Sequence, residues 1–487
     1  MTKEFLKMLK KASRKDAEHL SRYVLFFALV NIATLLSSCK KLVEINSPTT
    51  SITGANVFTN NGTAAAVLTG IYTRMSSDDI RSGGFISTGF LTGLSGDELT
   101  LYPGAGDDQL TQYYTNSLLA VTPGAWNQIY PITFITNTAV ENIQNSTSLT
   151  FEVQKQLLGE AKFMRAFCYF YLINLYGDVP LVISSNYAVN SVLARSPKEQ
   201  IWAQMIADLK DAKSLLSDKY LNASLLASTT ERVRPTKWAA TAMLARAYLY
   251  THDWKNAEEQ STEVINSPLY HLDSLNNVFL SNNPEAIWQL QPVTQGANTI
   301  DAQTYILHSD GLSSIKPVYL SDNLLNSFEK NDQRANEWID TITISGTLYY
   351  FSSKYKSDTI GAPLTEYNTI LRLGEQFLIR SEARTQQNNL GGALSDLNMI
   401  RRRAWLSDLT INNQSALLNA IYHERQVELF TEWGHRWFDM KRNQSVNSIM
   451  NIVTPQKGGS WSPNWQLYPV PPNDILVDAN LTQNPGY

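Results

Sequence analysis

The stretch WAATAMLARAYLYTHDWKNAEEQSTEVI, residues 238–265, indicates the fold class. It opens with small residues, passes through a polar turn and then places Trp254 three positions before an alanine. Alanines let two helices pack closely, and a bulky neighbour fills the space between them. A second stretch, LGEQFLIRSEARTQQNNLGGALSDLNMI at 373–400, repeats this design with Leu390 as the bulky residue. Both predict helix–turn–helix hairpins resembling those that stack in tetratricopeptide repeats.

Apolar residues at i, i+3 and i+4 extend the helical prediction to most of the chain. The spacing between the two hairpins is not a clean multiple of a repeat period, so we expect scattered hairpins rather than a continuous array. A third, weaker hairpin would pair the second and third of the predicted segments. These segments are 62–80, 123–146, 151–176, 196–218, 235–267, 366–403 and 413–442.

Three stretches between and after these helices are rich in Gly, Asn, Ser, Thr and Tyr: 81–122, 268–365 and 443–487. Short strand-like runs occur inside them, and their aromatic residues argue against disorder. Prolines in the last stretch predict an extended tail rather than a helix. The predicted fold is therefore mostly all-α, a scaffold of tetratricopeptide-like hairpins with long loop-rich, short-stranded insertions.

The N-terminal residues have the pattern of an export signal. A basic stretch precedes the apolar run 23–36, which is shorter than the roughly 20 residues of a membrane-spanning helix. The run ends in Leu36-Ser37-Ser38-Cys39, which resembles the lipobox of bacterial lipoproteins. That resemblance implies that residues 1–38 are removed and that Cys39 is acylated. An uncleaved anchor helix is the alternative.

Without residues 1–38 the chain carries 33 basic and 41 acidic side chains, a net charge of −8. Such a chain repels nucleic acid rather than binding it. Cys168 is the only other cysteine, so no internal disulfide can form once Cys39 is acylated. We expect Cys168 to be a buried free thiol.

Four motifs, in order, resemble the SusD/RagB family of outer-membrane nutrient-binding lipoproteins. Together they span almost the whole chain after the predicted signal. They are CKKLVEINSPTTSITGANVFTNNGTAAAVLTGIY (39–72), AKFMRAFCYFYLINLYGDVPLV (161–182), ERQVELFTEWGHRWFDMKR (424–442) and LYPVPPNDILVDANLTQNPGY (467–487).

The resemblance implies a lipid-anchored protein on the outer membrane, facing outward from the cell, that captures an oligosaccharide or a peptide. It also implies a partner, a SusC-like TonB-dependent transporter. Residues 39–487 would form one domain. Its helical scaffold would comprise 62–80, 123–176, 196–267 and 366–442, with a binding face from 81–122 and 268–365 and a tail at 443–487.

No sequence signature of an enzyme, a cofactor site or a metal site is present, so we predict a binding protein without cofactor. Glu424, Glu428 and Glu432 form a carboxylate stripe on the late helix, which leaves a surface hydrolase as one alternative. Glu432 can pair with Arg436 at i, i+4, whereas the other two need partners elsewhere. A purely protein-binding helical scaffold is the second alternative.

The resemblance points to two loops as the ligand site, by region rather than residue by residue. Tyrosine rings suit the flat apolar faces of sugars, and charged side chains suit their hydroxyls. Packing within the loops is the competing interpretation for each residue. The predicted ligand-binding residues are Arg81, Asp97, Glu98, Tyr102, Tyr113 and Tyr305. The sequence leaves open which nutrient binds and whether a metal ion steadies a loop.

Overall fold

The computed structural model describes Glu4, Lys7 and residues 57–77, 84, 87–122 and 124–487. The fold below is that of the unit Ala55–Tyr487. The predicted signal peptide, Cys39 and Arg81 lie outside the described residues.

Helices form most of the described chain, joined by two short 3₁₀ turns at Pro103–Ala105 and Pro463–Gln466. The helices are α1 (Asn61–Ser77), α2 (Ser87–Ser95), α3 (Asp108–Tyr114), α4 (Trp126–Gln144), α5 (Phe151–Tyr176), α6 (Tyr187–Asn190), α7 (Lys198–Leu215), α8 (Lys237–Tyr250), α9 (Trp254–Ile265), α10 (Ile300–Tyr305), α11 (Asp322–Leu325), α12 (Gln333–Glu337), α13 (Leu373–Gln386), α14 (Leu390–Arg403), α15 (Gln414–Leu429), α16 (His435–Arg442), α17 (Val446–Gln456) and α18 (Pro472–Val477).

The strands are short and pair antiparallel in twos: β1 with β3, β2 with β6 and β4 with β5. They are β1 (Leu99–Leu101), β2 (Ala286–Leu290), β3 (Val318–Leu320), β4 (Ile339–Ile344), β5 (Thr347–Ser352) and β6 (Asn368–Arg372). The β4–β5 hairpin turns at Ser345 and Gly346, whose φ angles of 51° and 84° suit a tight two-residue turn.

Both predicted hairpins form, α8 with α9 and α13 with α14, and their turns are built alike. His252 and Asn388 adopt positive φ angles of 59° and 62°. The next residue then caps the second helix: Asp253 accepts a hydrogen bond from Asn256 N at 3.2 Å, and Asn389 accepts one from the third residue of α14 at 3.1 Å. The same chain reversal is therefore encoded twice.

The hairpins are contiguous in space, which corrects the expectation of scattered hairpins. Neighbours pack in the order α4, α5, α7, α8, α9, α13 and α14. The third hairpin, α4 with α5, is part of this stack. At the junction of α9 with α13, Arg384 Nε donates to Glu258 Oε1 at 2.8 Å. The long segment between α9 and α13 is an insertion that leaves the stack and returns to it.

Two predicted helices are too long, for identifiable reasons. Residues 368–372 of the predicted segment 366–403 are strand β6, because they pair with β2 and are buried on both faces. The predicted helix 413–442 is interrupted after Leu429. At this break Lys354 Nζ donates hydrogen bonds to the backbone carbonyls of Glu428 and Phe430, each at 2.9 Å. A new helix, α16, starts after Gly434 at φ 81°.

The tail is not wholly extended, contrary to the prediction. It contains α17 and the short helix α18, which begins at Pro472. A proline in the first turn removes an N–H that has no partner within the helix, so it costs little there. Cys168 is a buried free thiol, as predicted, and burial raises its pKa to about 12. Within the residues that the structure describes, no helix combines the length and apolar character needed to cross a bilayer.

Candidate functional site

The carboxylates of the α15 stripe are the centre of a buried charge network. Glu428 contacts Arg334 at 3.0 Å and Arg372 at 2.6 Å, and it also pairs with Arg403. Glu424 contacts Arg334 at 2.7 Å. Burial alone would raise the pKa of Glu428, but the three guanidinium groups hold it well below its ordinary value. These carboxylates are engaged in packing the core and are not arranged as an acid and a base for catalysis.

The predicted pair Glu432–Arg436 does not form. Glu432 contacts Lys354 at 2.5 Å and Arg372 at 2.8 Å instead. Arg436 turns toward the loop before β1, where its Nε and Nη2 donate to the two carboxylate oxygens of Asp97 at 2.9 and 2.6 Å. The late helix thus holds the loop by a bidentate ion pair, which is stronger and more directional than a surface pair.

Asp97 and Glu98 are both buried where the structure brings the predicted loop against the late helix. Burial would raise the pKa of Asp97, but Arg436 lowers it below its ordinary value. Glu98 Oε1 accepts a hydrogen bond from Thr431 N at 3.2 Å. Burial, followed by the neighbouring charge of Asp97, raises the pKa of Glu98 to about 8. Both side chains support the loop from beneath.

Tyr113 and Tyr305 are also buried, with exposures of 1% and 3%. The Tyr113 ring packs edge-on against Tyr468 at a centroid distance of 5.3 Å. The Tyr305 ring lies 6.4 Å from that of Phe90, and its hydroxyl makes no hydrogen bond to any described residue. In this conformation neither ring has a surface on which a sugar could stack.

The Tyr305 hydroxyl faces a small polar cavity of about 20 Å³. That volume suits one water molecule and excludes a sugar ring. Asp301, Lys354, Asn368 and Glu432 also line it. Burial raises the pKa of Asp301 to about 7. The cavity is an internal feature of the core.

Tyr102 is the one described ligand-site prediction that is partly exposed. It follows β1, and its N–H donates to Pro317 O at 2.7 Å, which extends the β1–β3 pairing by one residue. Its ring lies on Gly104, where an added Cβ would sit 2.5 Å from the ring. Side chains two residues apart share one face of a strand. Tyr102 therefore lies on the same face as Thr100, the partner of Tyr319 in β3.

A cluster of partly exposed tyrosines surrounds that position. Tyr319 contacts Tyr349 of β5 edge-on, with centroids 5.1 Å apart. Burial, and then the neighbouring hydroxyls of Tyr114 and Tyr349, raise the pKa of Tyr319. We call Tyr102, Tyr114, Tyr319 and Tyr349 the tyrosine face. Two of its residues come from the predicted stretch 81–122 and two from the predicted stretch 268–365, where Tyr349 belongs to the β4–β5 hairpin.

Lys457 braces the tyrosine face from the C-terminal side. Its Nζ lies 5.2 Å from the centre of the Tyr114 ring. The same amine donates to the carbonyls of Leu94, Ser95 and Gly96 at 2.8, 3.1 and 2.8 Å. These carbonyls end helix α2, whose C-terminal dipole favours a cation. Burial lowers the pKa of Lys457 to about 7.

Tyr319 and Tyr349 were missed at the sequence level. Tyr349 lies in a run, residues 348–351, that reads as a short strand, but a two-residue alternation does not say which face remains exposed. Tyr319 lies in a three-residue strand that is too short to carry a pattern. Within the described residues, no group of three His, Cys, Asp or Glu side chains is placed to hold a metal ion.

Comparisons with known proteins match both halves of the chain. A family model described as "Starch-binding associating with outer membrane" matches residues 103–249, and one described as "SusD family" matches residues 318–487. A SusD-like protein of Bacteroides ovatus is 24% identical over 466 residues, covering 85% of this chain and 81% of that protein. The starch-binding protein SusD of Bacteroides thetaiotaomicron is 28% identical over 170 residues, 31% of this chain and 28% of that protein.

Solved structures show the same fold. A SusD superfamily protein from Bacteroides vulgatus matches with a TM-score of 0.77 at 20% identity, over 88% of this chain and 99% of that one. A laminarin-binding SusD-like protein matches with a TM-score of 0.72 at 20% identity, over 87% of this chain and 99% of that one.

A stack of tetratricopeptide-like hairpins that carries a loop-rich aromatic face belongs to the class of scaffolded binding proteins. The two family models and the relatives above place the chain more closely: it belongs to the SusD family, a family of carbohydrate-binding proteins. The family resemblance is thereby confirmed, with the motifs at 161–182, 424–442 and 467–487 inside the matched residues, and the mostly helical fold is confirmed as well.

Proposed function

We propose that this protein captures an oligosaccharide on the tyrosine face and releases it chemically unchanged. The supporting observation is the arrangement of four partly exposed tyrosine rings, with Tyr319 on β3, Tyr349 on β5, Tyr102 just after β1 and Tyr114 at the end of α3 beside Lys457. Aromatic rings bury large apolar area with little loss of conformational freedom, which suits the flat face of a sugar. The starch- and laminarin-binding relatives favour a saccharide over a peptide.

Tyr102, Tyr114, Tyr319 and Tyr349 would contact the ligand directly. The other described ligand-site predictions, Asp97, Glu98, Tyr113 and Tyr305, would hold this surface from beneath, because they are buried. Arg81 remains a predicted contact.

Titration calorimetry of the purified chain against starch and laminarin oligosaccharides, with a peptide panel beside them, tests the proposal. Tyr319→Ala should weaken saccharide binding about tenfold, a loss of about 1.4 kcal/mol. Tyr187→Ala is the matched control, because Tyr187 is 80% exposed and lies outside the tyrosine face. Equal affinities of the two variants, or binding to peptides alone, would contradict the assignment.

We infer that the chain is not an enzyme. The carboxylates of α15 are neutralised by buried arginines, which supports this inference. Incubation with the bound oligosaccharide should leave its length unchanged in a chromatographic assay. The appearance of shorter products would favour the alternative of a surface hydrolase.

The remaining parts of the proposal concern location and partner. Cys39 would carry the lipid that holds residues 39–487, as a single domain, on the outer membrane and facing outward. One acyl chain binds a membrane only marginally and several bind it stably. Cys39→Ala should release the protein from the membrane fraction, whereas Cys168→Ala should not, because that thiol is buried. Continued membrane retention of the Cys39 variant would count against the anchor.

The partner would be a SusC-like TonB-dependent transporter that receives the saccharide. Deletion of that transporter should abolish uptake of the bound oligosaccharide while the amount of this protein on the membrane stays the same. Normal uptake in the deletion strain would contradict the partnership.

A further inference from the structure

A groove of about 880 Å³ opens between the helical stack and the C-terminal tail. Its walls come from the end of α5, the start of α7, the turn after α8, the end of α16 and residues 463–467 and 482–485. It shares no lining residue with the tyrosine face. Its volume falls within the range of small-molecule sites in proteins.

The lining is strongly basic, although the chain as a whole is acidic. Asp178 is the one carboxylate among the lining residues. Arg442 is neutralised outside the groove, because it contacts Asp439 at 2.7 Å and also Glu382 at 2.5 Å. The charge of the other basic side chains remains. The basic lining residues are Arg195, Lys198, Lys441 and Arg442.

Arg195 is fixed in place by neutral acceptors. Its guanidinium donates to the backbone carbonyls of Asp178 at 2.7 Å and Tyr176 at 3.1 Å, and to Asn484 Oδ1 at 2.5 Å. A further N–H donates to Thr482 O at 3.1 Å. Neutral oxygens orient the group, the nearby Asp178 carboxylate offsets part of its charge, and one of its five N–H donors has no acceptor among the described residues.

Lys198 adds a second positive charge, and Lys441 adds a third when its amine is protonated. Lys441 Nζ donates to the carbonyl of Asn174. Among the described residues, no carboxylate oxygen lies within the 4 Å of an ion pair from either lysine or from Arg195. Burial, and then the charge of Lys198, lower the pKa of Lys441 to about 7, and an anion bound beside the amine would favour its protonated form. Arg195, Lys198 and Lys441 share one lining carboxylate, that of Asp178, and the remaining excess of positive charge favours an anion.

An apolar wall lies beside these charges. Trp202 is partly exposed in the groove, and its ring is 6.0 Å from that of Tyr250. A free inorganic ion would leave this wall unused. We propose that the groove binds an acidic saccharide, with a sugar ring against Trp202 and its carboxylate among Arg195, Lys198 and Lys441. This second site goes beyond the neutral-saccharide site proposed above.

Titration calorimetry with a tetrasaccharide of glucuronic acid, and with its carboxyl-reduced neutral counterpart, tests this site. The acidic tetrasaccharide should bind at least tenfold more tightly than the reduced one. Its affinity should fall as sodium chloride is raised, because salt screens exposed charges. Lys198→Glu and Lys441→Met should each weaken binding at least tenfold.

Lys210→Glu is the matched control, an exposed lysine on the same helix that does not line the groove. It should bind the acidic tetrasaccharide like the unmodified chain. Lys198 is exposed, so its replacement keeps the test valid even if the Lys441 variant fails to fold. Equal affinity for both tetrasaccharides, or loss of binding in Lys210→Glu as large as in Lys198→Glu, would overturn the proposal.

Tyr319→Ala separates this site from the tyrosine face. The variant should bind the acidic tetrasaccharide with unchanged affinity, whatever it does to neutral oligosaccharides. Loss of acidic-saccharide binding in Tyr319→Ala, with full binding in Lys198→Glu, would show that the acidic saccharide binds at the tyrosine face and not in the groove. If sodium sulfate at equal concentration displaced the acidic tetrasaccharide, the groove would be a site for simple anions, and the saccharide proposal would be overturned.

Discussion

Helix α15 and the tyrosine face are both rich in functional groups, yet their surroundings are opposite. Glu428 is fully buried and shared by three arginines. Tyr319 is half-buried, and its ring contacts that of Tyr349 edge-on. A stripe of carboxylates on one helix suggests chemistry in the sequence, whereas isolated tyrosines in loops suggest very little.

The difference shows that availability matters more than residue type. A buried carboxylate surrounded by guanidinium groups has its charge and its hydrogen-bonding capacity already used. A ring held on a braced strand keeps one face open at little further cost in ordering. Our proposal therefore assigns ligand binding to the less conspicuous of the two regions, and each prediction below tests this division.

Removal of Glu428 should have the largest effect. Glu428→Ala leaves Arg334, Arg372 and Arg403 without their shared counter-charge, which should lower the free energy of unfolding by about 3–5 kcal/mol. Urea denaturation measures this loss. Asp408→Ala, which breaks an exposed pair with Arg402, is the control and should scarcely move the midpoint. Similar midpoints for the two variants would show that the network is not structural.

Replacement of Tyr305 tests whether a buried ring of the predicted site acts through stability or through contact. Tyr305→Ala should cost about 3 kcal/mol of unfolding free energy, because it opens a cavity in the core. Tyr305→Phe should change both stability and oligosaccharide affinity little, since the hydroxyl makes no hydrogen bond to a described residue. A tenfold loss of affinity in Tyr305→Phe would show that Tyr305 contacts the ligand directly.

Glu98 tests in the same way whether a buried residue of the predicted site acts through stability, because its contribution to the free energy of unfolding depends on pH. Its folded pKa of about 8 lies above the ordinary value of 4.5, so the folded chain keeps a proton that the unfolded chain releases. This contribution to stability is full below about pH 4.5 and is lost as the pH rises toward 8. Glu98→Gln should remove that loss, so that between pH 5 and pH 8 the variant gains about 3–4 kcal/mol of unfolding free energy over the unmodified chain.

Urea midpoints at pH 5 and pH 8 measure the gain. Glu259→Gln is the control, because Glu259 is exposed, and its difference from the unmodified chain should be the same at both pH values. Parallel pH profiles for Glu98→Gln and the unmodified chain would show that Glu98 is ionised when folded.

The smallest effect concerns a single hydroxyl on the tyrosine face. Tyr349→Ala should weaken oligosaccharide binding about tenfold, whereas Tyr349→Phe should keep affinity within about twofold, because stacking depends on the ring. Calorimetry of the two variants at one temperature compares them. A large loss in Tyr349→Phe would assign the binding to a hydroxyl contact instead of a stacked ring.

The hairpins were predictable because their information is local. A bulky residue three before an alanine, after a polar turn, marks both α8–α9 and α13–α14. Their direct stacking was not predictable, since the interval between them carries no trace of the contact between Glu258 and Arg384. Strand β6 was predicted as helix because a short strand that is buried on both faces lacks the alternation that distinguishes a strand from a helix.

The candidate site was predictable only by region. Asp97 lies in the loop that the resemblance indicated, but its burial depends on Arg436, a partner 339 residues away. Tyr102 could be named because it belongs to that same loop. Tyr319 could not, because its exposure follows from pairing with Thr100 and from no feature of its own neighbourhood.

The stacking of α9 on α13 has a consequence for synthesis. A ribosome adds about 5–20 residues per second, so α9 is complete roughly ten seconds before its packing partner. During that interval Glu258 and Thr262 of α9 lack their partners on α13, Arg384 and Arg380. A nascent chain of this protein therefore presents an unfinished repeat for far longer than a helix takes to form, and that interval is its most vulnerable to misassembly.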